Sequence, residues 1–343
     1  MQAVRVWDRL GDGGIPFTEL GFGSAPLGNL FKAVSDDAAQ EVLEGAWAAG
    51  VRYFDTAPQY GLGLAETRLN RFLRGKPRGD YVISTKVGRL LRATRPETRD
   101  GIGKWIDVPS RSGVFDYSYD GVLRSLEFSL ERLGLDRIDV VYAHDLDVFT
   151  HGSEAAKQAQ LEAFIAGGYR ALLRLRDEGV IRAFGAGVNE AEPCEWLMER
   201  GDFDLFLLAG RYTLLEQGAV GFMDRAAARG VGVVIGGPYN SGILATGPRP
   251  GAMFNYALAP AAVLATAARL QAVCAAHEVR LVDAAFRFPL LHPATVSVIP
   301  GGQGLSEMTS NQQAAAAEVP AALWQALRAE VLIVEGAPVG AVA

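Results

Sequence analysis

Cysteine and histidine are scarce in this chain, with two of the first and four of the second in 343 residues. Cys194 and Cys274 are too few for a disulfide framework or a thiolate metal cage, and they fit a reducing cytoplasm. No apolar stretch reaches the roughly 18–20 residues that a membrane span needs. The opening segment MQAVRVWDRLGDGG lacks the apolar block of a signal peptide and reads instead as a short hairpin turning at Gly11 to Gly14. Long basic runs are also missing, and the net charge is −6. Nucleic acid and anionic membranes are therefore poor candidate partners, which leaves a small molecule. No GxGxxG fingerprint follows the first apolar run, so a dinucleotide-binding open sheet has no sequence signature here.

What is present is alternation. Eight short apolar runs recur: Leu20 to Ala25, Val51 to Asp55, Tyr81 to Lys86, Ile138 to His144, Ile181 to Val188, Leu205 to Ala209, Val231 to Ile235 and Val296 to Ile299. Helical spacing fills the gaps. Val42, Leu43, Ala46 and Ala49 form one stripe, with Ser35 or Asp36 as N-cap. Leu69, Phe72 and Leu73 form a second. Val122, Leu126, Leu130 and Leu133 form a third, which Gly134 closes. Further helices are predicted around 158–178, 190–200, 216–229, 260–277 and 306–316. Hydrophobic residues make up 49% of the chain, enough for a large core. The pattern points to α/β architecture in one domain over 1–343, a (β/α)8 TIM barrel with an N-terminal β-hairpin. A doubly wound open sheet is the alternative. Two connections, about Val87 to Tyr117 and about Pro238 to Pro260, are too long for turns. Their aromatic content predicts pocket-shaping loops.

Three consecutive apolar runs end in ionisable groups: Asp55 and Tyr60 in FDTAPQYG, Lys86 in ISTKVG, and His144 in VVYAHD. A buried strand carries apolar residues, so a charge at its carboxyl end marks the rim, where barrels place their chemistry. Singly, each has an ordinary reading: a capping Asp, its Lys partner, a packed loop Tyr. Together they suit proton transfer at a carbonyl or alcohol oxygen. A free tyrosine has a pKa near 10, and an ammonium beside it is expected to lower that by about three units, roughly 4 kcal/mol. Asp55 would hold the ammonium and His144 would orient the reacting oxygen. Redox work by this set requires a nicotinamide. A metal hydrolase is a rival reading, because His144, Asp145, Asp147 and His151 lie close in sequence. No second ligand-like strand end supports it, and the prediction is that no metal is held.

The segments FDTAPQYG, STKVG and YAHD resemble those of the aldo-keto reductases. The resemblance runs from LGFGSAPLG (20–28) to VIPGGQGLSEMTSNQ (298–312). It implies a TIM barrel that binds NAD(P)(H), with Asp55, Tyr60, Lys86 and His144 as the catalytic tetrad. It also implies cofactor contacts from Gly23, Asp55, Asn189, Pro238, Tyr239 and Ser241, and from Gly301, Gly302, Gln303, Glu307 and Asn311. Three positions depart from the family pattern. Val188 replaces the usual serine, Ala209 a glutamine, and Gly236 or Gly237 the aromatic that stacks on nicotinamide. Glu307 stands where NADP-preferring members often carry an arginine, so NAD is expected over NADP. FDYSYDGVLRSLEFSLERLGLDRIDVVYAHD (115–145) and SGILATGPRPGAMFNYA (241–257) are similar to the aldose 1-dehydrogenase and pyridoxal 4-dehydrogenase branch. That branch implies oxidation of an aldose at its anomeric hydroxyl, or of pyridoxal, to a lactone; general aldehyde or ketone reduction is a further reading. The substrate walls are expected to be Trp105, Phe115, Tyr142 and Phe254, with His144 at the reacting oxygen.

Overall fold

The eight apolar runs form eight parallel strands in sequential order. They are β1 (Phe22–Gly23), β2 (Tyr53–Asp55), β3 (Val82–Val87), β4 (Val140–His144), β5 (Ala183–Val188), β6 (Leu205–Ala209), β7 (Gly232–Gly236) and β8 (Thr295–Ile299). Just before β1, Leu20 pairs in parallel with Val298, and Gly21 N–H donates to Val298 O at 3.0 Å. That contact closes the sheet into a barrel. This computed structural model describes residues 2–11 and 13–339; Asp12 of the expected hairpin turn and both chain ends lie outside them. The hairpin strands are Val4–Trp7 and Ile15–Thr18. Trp7, Ile15 and Phe17 are buried in one cluster with Tyr53, Val82, Val140 and Tyr142, so the hairpin plugs the barrel floor.

The strand period of two determines the site. Tyr53, Val82, Val140 and Tyr142 belong to the interior cluster, whereas Phe54, Ile83, Val141 and Ala143 pack in the outer core against the helices. Stepping two residues from Tyr53 and Tyr142 brings Asp55 and His144 to the same inner face, with Ser84 and Lys86 on the strand between. Register aligns them, with Asp55 opposite Ser84, Lys86 opposite Tyr142 and His144 opposite Gly187.

Outside lie α1 (Asp36–Ala48), α2 (Leu64–Leu73) and α3 (Tyr119–Leu133). Ser35 caps α1 by accepting from Ala38 N–H, and Gly134 ends α3 at φ +63°. The helix expected at 158–178 starts at Glu154 and carries a π turn at Phe164–Gly168 before continuing to Asp177. The remaining predicted helices appear at Ala191–Met198, Val220–Ala228, Ala261–Ala276 and Leu305–Ala316. Among the described residues, two helices of more than two turns were not foreseen. Leu281–Leu290 is almost wholly buried, and Pro289 inside LVDAAFRFPL suggests a break. Ala321–Ala329 follows it near the end of the chain. The first long loop holds an antiparallel ribbon, Arg89–Ala93 with Arg111–Phe115; the second folds as Ile243–Thr246 and a two-residue ribbon at Met253–Phe254. No helix among the described residues is long and apolar enough to cross a membrane.

Candidate active site

At the carboxyl ends of β2 and β3, Lys86 Nζ lies 2.6 Å from Asp55 Oδ2 and donates to Thr56 O at 2.9 Å. Both side chains are buried. Burial raises the Asp55 carboxyl above its ordinary pKa, and the Lys86 ammonium and Ser84 hydroxyl pull against it. Ser84 Oγ donates to Asp55 Oδ1 at 2.6 Å, Tyr53 OH lies 2.9 Å from Ser84 Oγ, and Tyr142 OH lies 3.4 Å from Tyr53 OH. The tetrad thus rests on a hydrogen-bonded column inside the barrel.

Tyr60 projects from the turn after β2, and two glycines hold that turn. A Cβ on Gly28 would stand 2.5 Å from Gly61 N and 2.6 Å from Tyr60 C, while Gly61 has φ +62°. Only a bare backbone permits this crossing, which pins Tyr60 against the loop after β1. Lys86 Nζ sits 4.8 Å from the Tyr60 ring centre, His144 meets the same ring edge-on at 6.0 Å and 84°, and Trp105 lies 6.5 Å away. All four expected catalytic residues therefore meet at one point.

One electrostatic expectation fails. Tyr60 is pushed well above its ordinary pKa, first by burial and then by Asp55, Tyr256 and Asp145; Arg89 opposes them. The Lys86 ammonium touches Asp55 at 2.6 Å, and that pairing offsets its field at Tyr60. At neutral pH, Tyr60 is a phenol ready to donate a proton. His144 is driven well below its ordinary pKa by burial and by Lys86, Arg89 and Lys104, so its ring is neutral. Its Nδ1 is buried without a partner, and Tyr117 OH fixes its backbone by donating to His144 O at 2.5 Å.

The carboxylates of the metal reading are already paired. Asp145 Oδ2 meets Arg89 Nη2 at 2.6 Å, and burial pushes its carboxyl up to about 6. Asp147 Oδ2 accepts from Asn189 N–H at 2.7 Å and from Asn189 Nδ2 at 3.0 Å, while Oδ1 caps Thr150 N–H at 2.9 Å.

Along the rim, the structure joins several of the expected cofactor residues by hydrogen bonds. Beyond Asn189, the backbone at Gly236 and Gly237 is bare. A Cβ on Gly237, which has φ +55°, would meet nothing nearer than Gly210 N at 3.7 Å. Pro238 opens the next turn, in which Asn240 and Ser241 also have positive φ. Ser241 Oγ accepts from Tyr256 N–H at 3.1 Å, and Tyr239 OH donates to Asn311 Oδ1 at 3.0 Å. Gly23 N–H donates to Pro300 O at 3.1 Å, bringing β1 beside Gly301 and Gly302. Gln303 holds Pro26 O and Leu30 O through Nε2, and its own N–H donates to Glu307 Oε2 at 2.5 Å.

The expected walls divide. Trp105 faces Tyr60, whereas Phe115 packs, tilted, on His151 at 4.6 Å and lies under Arg89. Phe254 lies, half-buried, in the small ribbon beside Tyr256. Tyr142 is not a wall: it is 0% exposed, inside the barrel beneath Lys86, because the strand period places it one step below His144. Tyr256 was not assigned to the site, yet its ring lies 6.4 Å from Phe31 and 6.5 Å from Phe149 and bridges three loops. Arg89 and Lys104 were not assigned to the site either, and Asp145 and Asp147 were weighed only as metal ligands. The signal for Asp147 was its place just past the His144 strand end, three residues before the Thr150 N–H it caps.

A closed parallel barrel with this rim-mounted tetrad defines a class of oxidoreductase, and the sequence relationships agree. The chain belongs to the aldo/keto reductase family, whose model matches residues 19–330. The family works with a nicotinamide cofactor. The chain is 40% identical over 325 residues to D-threo-aldose 1-dehydrogenase of a Pseudomonas species, covering 93% of this chain and 96% of that one. It is 43% identical over 335 residues to pyridoxal 4-dehydrogenase of Microbacterium luteolum, covering 94% and 97%. In fold it is similar to an aldo-keto reductase from Bacillus halodurans in holo form. The TM-score is 0.74 at 22% identity, with 96% of each chain covered.

Proposed function

We propose that the protein oxidises a small cyclic hemiacetal to its lactone with a nicotinamide as hydride acceptor, an aldose at its anomeric hydroxyl being the first substrate class. The observation that carries the reading is the buried Lys86–Asp55 pair beneath the Tyr60 ring, with neutral His144 edge-on. Position 1 of an aldose and position 4 of pyridoxal are both aldehyde carbons that close onto a hydroxyl of their own molecule. One proton transfer and one hydride transfer therefore serve either relative's substrate. Pyridoxal is the second reading, favoured by the 43% identity; plain aldehyde or ketone reduction would use the same groups, with hydride passing from the reduced nicotinamide to the carbonyl carbon and a proton from Tyr60 to its oxygen.

Tyr60 exchanges the proton with the substrate oxygen, and His144 directs that oxygen through a neutral ring nitrogen. Lys86 sustains the phenolate when it forms, and Asp55 holds Lys86. The bound nicotinamide supplies the hydride acceptor, and its positive oxidised ring favours the phenolate. Asn189 would hold the carboxamide, with Gly236 and Gly237 giving the ring a flat bed where the family usually has an aromatic. Pro238, Tyr239 and Ser241 would follow the pyrophosphate, and Gly23, Gly301, Gly302, Gln303 and Asn311 the adenosine end. Glu307 supports NAD over NADP, since its carboxylate already occupies the Gln303 N–H and repels a 2′-phosphate. Trp105, Tyr256 and Phe254 are the proposed substrate walls, with Phe115 further out. Two buried free thiols agree with a cytoplasmic location.

The test is NAD and NADP reduction with L-fucose, D-arabinose and pyridoxal, with the product identified as lactone. Turnover of at least one supports the reading; no reduction with any of the three overturns it.

A further inference from the structure

Lys104 lies in the first long loop, half-buried beside the site. Its ammonium stands 5.5 Å from the ring centre of Trp105, which faces Tyr60, and 4.8 Å from that of Tyr256. The other cations of the pocket are committed, Lys86 to Asp55 at 2.6 Å and Arg89 to Asp145 at 2.6 Å. Among the described residues, no carboxylate lies within ion-pair distance of Lys104. Its charge nonetheless reaches the catalytic groups, helping to hold His144 neutral and pulling Asp145 down. Burial and Arg89 act against the ammonium, and Asp145 is its one counterweight. A desolvated cation between two aromatic faces, lacking its own carboxylate, is a site for an anionic oxygen on a flat ring.

We propose that Lys104 is a specificity-determining residue that binds a ring oxyanion of the substrate, and so favours the second of the two substrates above, a hydroxypyridine hemiacetal such as pyridoxal, over the uncharged aldose placed first. This rests on the hemiacetal reading above. Pyridoxal carries a ring hydroxyl, ionised at neutral pH, on the carbon next to the one bearing its aldehyde. With the aldehyde carbon at Tyr60 and His144, the proposed pose turns that oxyanion towards Lys104. Tyr256, which is exposed, would stack on the same flat ring, with buried Trp105 behind Lys104. An aldopyranose offers neither the charge nor the planarity, so the free ammonium would be left without a partner.

The backbone of Lys104 is held independently of its side chain, by donation to Gly101 O at 2.9 Å and acceptance from Phe31 N–H at 2.7 Å. Substitution there leaves the loop's bonds in place. The experiment compares the wild type, Lys104→Met and Lys104→Arg. One arm measures kcat/KM for pyridoxal and for L-fucose with NAD. The other measures pyridoxal binding by tryptophan fluorescence in the NAD-loaded protein. A charge-assisted hydrogen bond predicts that Lys104→Met lowers the pyridoxal-to-fucose ratio about ten-fold or more, and weakens pyridoxal binding to match. Lys104→Arg should stay within about three-fold of the wild type in both. An unchanged ratio, or weakening of both substrates alike, overturns the proposal. If the wild type turns over neither substrate, the hemiacetal reading falls, and the binding arm still decides on Lys104: equal pyridoxal affinity in wild type and Lys104→Met rejects the oxyanion contact.

Discussion

Asp147 grips Asn189 twice through a single oxygen, taking its backbone N–H at 2.7 Å and its side-chain amide at 3.0 Å. The residue proposed to hold the nicotinamide carboxamide is thus aimed by a carboxylate from the neighbouring strand end. Asp147→Ala should raise KM for the cofactor about ten-fold, and loss of the Thr150 cap should cost about 1 kcal/mol of stability. Cofactor titration and urea unfolding measure the two separately. An unchanged KM would remove Asp147 from the site.

Tyr60→Phe removes only the hydroxyl. Loss of a general acid or base predicts a drop in kcat of about 10²–10⁴-fold, with cofactor affinity unchanged. Stopped-flow hydride transfer and cofactor fluorescence supply the readouts. Activity near that of the wild type would sink the assigned chemistry.

The Lys86–Asp55 pair is buried, so breaking it strands a charge. Asp55→Asn or Lys86→Met alone should each cost about 3–5 kcal/mol of stability. The double variant should recover a large part of that loss, though none of the activity, because both partners become neutral together. Additive losses in denaturant would show that the two groups do not depend on each other.

The folded pKa of His144 lies below its unfolded value near 6.5. The unfolded chain therefore binds the extra proton first as pH falls. His144 contributes stability above pH 6.5, and that contribution declines as pH drops towards the folded value. Asp145 runs the other way: its carboxyl is raised to about 6, so its contribution is full below the ordinary carboxylate range and is lost as pH rises through 6. His144→Asn should flatten the acid side of the unfolding curve by up to about 1.4 kcal/mol per pH unit below 6.5. Unfolding at pH 5 and pH 7.5 checks it; equal slopes for variant and wild type would refute it.

Glu307→Arg replaces a repelling carboxylate with a phosphate partner, and the NADP-to-NAD ratio of kcat/KM should rise about ten-fold or more. Glu307→Gln keeps an acceptor for Gln303 N–H and removes the charge, so it separates loop support from repulsion. A ratio unmoved by either change would detach cofactor choice from this position.

The barrel was legible because each buried parallel strand appears as an apolar run, and the tetrad because polar groups end three of those runs. Leu281–Leu290 was not legible, since Pro289 within the segment reads as a helix breaker. Tyr142 was misplaced for a different reason. An aromatic near a catalytic His looks like a substrate wall until the two-residue period puts it a layer lower. The raised pKa of Tyr60 was also hidden: the Asp55–Lys86 pairing was expected from the sequence, but the burial that pushes the phenol up exists only in the folded chain. Lys104 and Tyr256 meet only through the folding of two loops far apart in the chain, and no local pattern encodes that meeting.

The column from Lys86 through Asp55, Ser84 and Tyr53 to Tyr142 ends against the hairpin plug of Trp7, Ile15 and Phe17. It therefore has no outlet at the floor. Each proton released in turnover must leave through the mouth by which substrate enters and product departs.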